Sequence, residues 1–155
     1  MDLWTHRPVQ EVCRLRKRTR AREYALQLLY EMDITGDSAG TVLGRFWQRR
    51  KYNPEVRDFA AELVGGTFAN LTQIDALIAE HSEHWEMDRM PTIDRNILRL
   101  GVYELLYRDD IPPKVAINEA VELAHKFSTS DSGKFVNGIL DKVMTFKQIS
   151  VIDSE

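Results

Sequence analysis

The chain has 155 residues, 43% of them hydrophobic and 29% charged, which fits one soluble globular domain and excludes global disorder. One cysteine, Cys13, excludes an internal disulfide framework, and no apolar run approaches the roughly 20 residues of a membrane span. The net charge of −3 conceals an asymmetry: residues 1–22 carry seven Lys or Arg against Asp2 and Glu11, whereas the rest carries 14 basic against 22 acidic side chains. A basic arm on an acidic body points to a polyanion contact and a separate protein-facing surface. The first residues lack a signal-peptide stretch, so the expected compartment is the cytoplasm, with no membrane attachment.

Apolar spacing reads helical nearly throughout, and no period-2 strand stands out. Residues 1–17 read as irregular. A first helix is expected from Thr19 to about Ile34, with Thr19 as its cap and Gly36 as its stop. Ala21, Ala25, Leu28, Leu29 and Met32 share one face, while Leu26 and Tyr30 lie off that stripe, placed for a second neighbour or a partner. A second helix is expected across Ser38–Arg50. Pro54 opens a third through Phe59, Leu63, Val64 and Phe68, in which Gly65-Gly66 suits close helix packing better than a ligand loop. Leu71–His81 continues as another helix.

Thr92 is placed to cap a helix reaching Arg108, whose large apolar residues, from Ile93 to Tyr107, surround the axis. Such a helix belongs in the middle of a bundle. Pro113 starts the next, through about Phe127, and Ser130 or Asp131 caps the last, with Phe135, Val136, Ile139, Leu140, Val143 and Met144 on one stripe. The tail from Lys147 reads as frayed. The expected fold is all-α, a compact bundle of six or seven helices: residues 1–17 a basic flexible leader, 18–146 a single helical domain, 147–155 a tail.

Catalytic chemistry is hard to find. His81 and His84 form H-x-x-H, but a zinc site needs three or four ligands and the only thiol is distant in sequence, so both read as solvated surface histidines. Ser132-Gly133-Lys134 resembles the end of a phosphate-binding loop, yet Ser128 stands where its first glycine belongs and Phe135 where a Ser or Thr belongs. Cys13 has no partnered base nearby in sequence. Neither a metal nor a cofactor is expected, and the chain does not read as an enzyme. Asn118, Glu119 and Asn137, polar residues within helical segments, are assigned structural hydrogen bonds. What remains is the run Arg14-Leu15-Arg16-Lys17-Arg18-Thr19-Arg20-Ala21-Arg22, leading straight into a helix. Arginine forks pair with phosphates and stack on exposed bases, which points to single-stranded RNA.

Four stretches together resemble the NusB family of bacterial transcription antitermination factors: Arg18–Tyr30 (RTRAREYALQLLY), Ile93–Leu105 (IDRNILRLGVYEL), Pro112–Ala124 (PPKVAINEAVELA) and Lys134–Lys142 (KFVNGILDK). The resemblance spans Arg18 to about Val143 in family order. It implies two small helical bundles around a central helix. It also implies pairing with the ribosomal small-subunit protein NusE, binding of boxA in nascent ribosomal RNA, and assembly with RNA polymerase and other Nus factors. The family's RNA segment falls on Arg18, Arg20 and Arg22, with Arg16 and Lys17 just before it. Thr19 stands where some relatives have another arginine. The start of the last helix, Asp131 to Phe135, matches a second RNA-facing stretch, with Lys134 toward phosphate and Phe135 either stacking a base or filling the core, the latter favoured. Tyr30 and Asp94 match positions used toward the protein partner. Two other classes are weighed: a protein-binding adaptor or self-associated form, and a relative of the helical domains fused to ribosomal RNA cytosine methyltransferases, for which no catalytic sheet is expected here.

Overall fold

A computed structural model describes residues 9–153 apart from 49, 84 and 85, with side chains followed to residue 149. Among these residues there are seven α-helices and one 3-10 turn, and no strand: α1 (Val9–Thr35), α2 (Ala39–Gln48), α3 (Pro54–Ala69), α4 (Leu71–His81), the turn Met87–Arg89, α5 (Thr92–Tyr107), α6 (Pro113–Phe127) and α7 (Ser130–Asp153). The all-helical expectation holds, and most helix limits lie within a residue or two of those read from the sequence.

Two limits differ. Helix α1 begins at Val9, so residues 9–17, read as irregular, are helical; residues 1–8 lie outside the described residues. The reason is that Thr19 is not a cap. Its hydroxyl donates to a Glu119 carboxylate oxygen at 2.8 Å and lies 3.1 Å from the Leu15 carbonyl one turn back, a pattern of a helix interior. At the other end, α7 runs past Lys147 to Asp153 instead of fraying. Lys147 donates to the Leu105 carbonyl at 2.7 Å, one of the acceptors that the last turn of α5 leaves open.

Local signals account for the other ends. Gly36, at φ +75°, closes α1 and donates to the Met32 carbonyl at 2.8 Å, a conformation that only glycine adopts without strain. Asn53 caps α3, its side-chain oxygen accepting from the Glu55 amide at 2.9 Å ahead of a first-turn proline. For α5 the residue before the helix is Pro91, and Thr92 lies inside it without capping.

Helix α5 is the axis of the molecule. It packs against α1, α3, α4, α6 and α7, and its residues from Asn96 to Leu105 are buried except Arg99. Close approach is bought by glycine: Gly101 lets Leu140 of α7 come within 2.8 Å of where a Cβ would stand, and Gly66 of α3 lies under the Tyr103 ring. The adjacent Gly65 faces open space. Gly66→Ala should therefore destabilise the fold by about 1–3 kcal/mol through overpacking. Gly65→Ala should raise stability by about 0.5–1 kcal/mol. Thermal unfolding of the two variants beside the parent chain checks both signs.

Candidate nucleic-acid interface

The α1 basic run divides by helical angle into side chains that face water and one that does not. Arg14, Arg16 and Arg20 are exposed, and among the described residues Arg14 and Arg16 have no ion-pair partner. Lys17 is half-exposed and lies 3.0 Å from Glu55 of α3. Arg18 rests over the Phe59 ring at 4.5 Å and 3.5 Å from Asp110. Arg20 bonds Glu23 at 2.9 Å. Glu23 is itself buried, and its other oxygen receives Lys126 of α6 at 2.7 Å. One buried carboxylate thus brackets two exposed cations on different helices. Lys126 escaped the sequence reading because nothing in the spacing joins residues 23 and 126.

Between α1 and α6 lies a half-open groove of about 570 Å³, with Val12, Leu15 and Val115 among its walls and Arg16, Arg20 and Lys126 on its margins. Asn118 lines the same groove and is exposed, as is Asn137, so the structural hydrogen bonds expected of these two are not made. Glu119 does fulfil that expectation, accepting from Thr19 and lying 3.6 Å from Arg22.

Arg22 is a correction. Its side chain is 2% exposed and reaches Glu104 of α5, also 2% exposed, with nitrogens 2.7 and 2.8 Å from one oxygen. A guanidinium so enclosed offers phosphate nothing. Arg22 sits three and seven residues before Ala25 and Leu29, on the apolar stripe itself, and that spacing was the available signal. Asp94 is a second correction. It is buried, accepts from Ser128 and Ser132 at 2.8 Å each, and ties the start of α5 to the α6–α7 junction instead of facing a partner.

Asp131 and Lys134 are exposed on the first turns of α7, and Phe135 is half-buried against the core beside a cavity of about 220 Å³ lined also by Met90, Pro91 and Asp94. Only four residues separate Lys126 from Asp131 in the chain, so α7 begins at the same end of α6 as the Glu23 bracket. Tyr30 is 40% exposed, off the core stripe as expected.

The sequence model of the NusB family matches residues 19–145. The chain belongs to the NusB family. Proteins named transcription antitermination protein NusB include one from Anaeromyxobacter sp. (strain Fw109-5), 51% identical over 130 residues, covering 82% of this chain and 89% of that protein. Another, from Thermodesulfovibrio yellowstonii, is 42% identical over 137 residues, covering 82% and 91%. Among solved structures, T. maritima NusB superposes with a TM-score of 0.75 at 36% identity, over 83% of this chain and 90% of that one. A chain from a complex of antitermination factors NusB and NusE with double-stranded RNA gives 0.77 at 30% identity, over 84% and 97%.

Outside the NusB motifs, His81 is half-buried with its ring 5.7 Å from Phe146 and its Nε2 buried without a partner, so it is packed and not solvated; His84 lies outside the described residues. No group of three or more metal-ligating side chains occurs among the described residues. Gly133 belongs to the first turns of α7, where it lets His125 approach, and no strand precedes it.

Burial raises the Glu104 carboxyl above its ordinary range against the opposing pull of Arg22. Arg22→Met removes that pull and should lower unfolding stability by about 3–5 kcal/mol at neutral pH. The carboxyl is then driven further up, so the folded variant holds a proton that the unfolded chain releases above about pH 4.3. The deficit should accordingly be smallest below that pH and grow as pH rises, as urea denaturation at several pH values will measure.

Proposed function

We propose that this chain is an RNA-binding transcription antitermination subunit. Paired with ribosomal protein NusE, it binds boxA-like single-stranded RNA in nascent ribosomal transcripts and joins the RNA polymerase complex with other Nus factors. The observation that carries the reading is the run of cations on the first turns of α1, with Arg14, Arg16 and Arg20 exposed and Lys17 and Arg18 half-buried beside them, set in an otherwise acidic protein. An acidic body disfavours RNA over much of its surface, so the strand is drawn to where cations cluster.

Lys126 and Lys134 extend the positive edge toward α7, with Asp131 beside them and Phe135 at the base of the turn. Arg16, Lys17, Arg18 and Arg20 are the phosphate contacts of this reading, and Arg22 positions α1 from behind. Tyr30, about three to four turns farther along α1, is the residue assigned to the NusE contact, since it presents an aromatic ring to water away from the arginines. The chain acts by binding, without a cofactor or a catalytic step, and in the cytoplasm. No described helix is long and apolar enough to cross a membrane.

Titrating boxA-like RNA into the protein with NusE, at a series of salt concentrations, tests the assignment. For single strands the slope of log K against log salt is about −0.7 per phosphate neutralised. Arg16→Ala, Arg18→Ala and Arg20→Ala should each weaken binding and flatten that slope by close to one contact. An unchanged slope in the triple variant removes α1 from the interface. Tyr30→Ala should weaken NusE binding by more than about 1 kcal/mol by calorimetry. The salt slope for RNA should stay as it was.

A further inference from the structure

We propose that the RNA path continues beyond α1, over Tyr24, onto an aromatic and guanidinium cluster on α2 and the segment after it, where unpaired bases stack. The inference rests on the reading of α1 as an RNA-binding ridge and names where the strand goes next. Arg20, an exposed cation of that ridge, lies with its guanidinium 4.5 Å from the centre of the Tyr24 ring. Tyr24 meets Phe46 and Trp47 edge-on at 5.6 and 5.5 Å, and Trp47 meets Tyr52 at 5.2 Å. Two more guanidinium groups cover outer rings: Arg50 stands 4.3 Å over Phe46, and Arg57 lies 5.0 Å from Tyr52 while donating to its hydroxyl at 3.1 Å. Rings and guanidinium planes therefore run without a break from Arg20 to Arg57.

Packing alone does not account for this arrangement. Helix α2 gives the core one fully buried residue, Val42. Phe46 and Trp47 are only half-buried, Tyr52 is 38% exposed, and Arg50 is exposed. Charge selects the occupant. Residues 45–58 carry Arg45, Arg49, Arg50, Lys51 and Arg57 against Glu55 and Asp58, the latter 3.1 Å from Arg57, whereas the chain beyond residue 22 is strongly acidic. Arg45 answers Glu31 and Asp37, which leaves Arg50 and Lys51 turned to solvent. An acidic peptide would use the cations and leave the rings idle. Single-stranded RNA uses both, because every base has a face that stacks on an aromatic ring or a guanidinium plane while its phosphate pairs with the neighbouring cation. The track is also continuous with the ridge through Arg20, so a strand held on α1 reaches it without leaving the surface.

Fluorescence anisotropy tests this with a short boxA-like RNA and with the same RNA lengthened by a few unpaired adenosines at its 5′ or its 3′ end. One of the lengthened RNAs should bind about tenfold tighter than the short one, the scale of one stacked base. Arg50→Ala with Tyr52→Ala should abolish that gain, leave the affinity for the short RNA unchanged and leave the thermal midpoint close to that of the parent chain. Arg50→Lys with Tyr52→Leu keeps the charge and removes the stacking planes, and it should lose the gain as well. Equal binding of all three RNAs, or a gain that survives either double variant, overturns the α2 track while the α1 reading stands. Binding that is absent throughout, or indifferent to Arg16→Ala and Arg20→Ala, overturns both together.

Discussion

Helix α1 crosses the central helix through a buried ion pair, and the orientation of the candidate RNA contacts on α1 follows from it. Arg22 and Glu104 are each 2% exposed, and Glu119 with Thr19 completes the polar set around them. Two opposite charges taken out of water are tolerable only when the donors and acceptors meet closely, and a roll of α1 by one residue, about 100°, would separate them and strand both. An apolar contact at the same crossing would tolerate such a slip with partial repacking. The pair therefore holds α1 at one roll angle. At that angle Arg14, Arg16 and Arg20 point to water.

The opposite end of α1 is held by a second polar cluster. Asp33 receives Arg95 at 2.8 Å, Asn96 at 3.0 Å and Arg99 at 3.1 Å, and Arg99 reaches on to Asp75 of α4. Burial acts to raise the Asp33 carboxyl, but these donors and the Arg99 charge outweigh it and keep the group below the usual carboxylate range. A 27-residue helix, roughly 40 Å long, is thus fixed near its middle and its far end. Its first two turns, which carry Val12, Leu15 and Arg16 beside the α6 groove, stand forward of both anchors. The polar clusters set position, and the apolar stripe between them, from Ala25 to Met32, supplies the burial.

Helix number, helix order and the central place of α5 were legible because each rests on periodicity and local punctuation: Pro54, Pro113, Gly36 and an apolar run on all sides of one axis. Membership of a family was legible from four short stretches. Less of the site was. Arg22 looks like its neighbours in a basic run, and only its register with Ala25 and Leu29 marks it as inward. Asp94 in a first turn reads equally as a dipole partner or a docking residue, and the hydroxyls that claim it come from residues 128 and 132. Glu23 with Lys126, and Tyr24 with Phe46, are pairings across helices, which no single-chain spacing encodes. The start of α1 was misplaced for a related reason: a threonine suited to capping was satisfied instead by Leu15 within its own helix and by Glu119 across the groove.

Three of the five α1 cations proposed to meet RNA are already paired within the chain. Lys17 faces Glu55, Arg18 lies near Asp110, and Arg20 shares Glu23 with Lys126. Such pairs at the surface add little stability, since water screens them and ordering the side chains costs entropy. Their effect is on geometry: an arginine already held against a carboxylate or an aromatic ring loses less freedom on meeting a phosphate than a solvated one does. The same carboxylates repel the incoming strand, and this opposition limits what the ridge gains per phosphate. A tight complex on this surface must draw on contacts other than phosphate pairing, from stacked bases or from a second protein chain lying beside the strand. On the proposed reading, an acidic protein with a short, partly neutralised basic ridge suits one RNA segment bound in company better than general RNA binding.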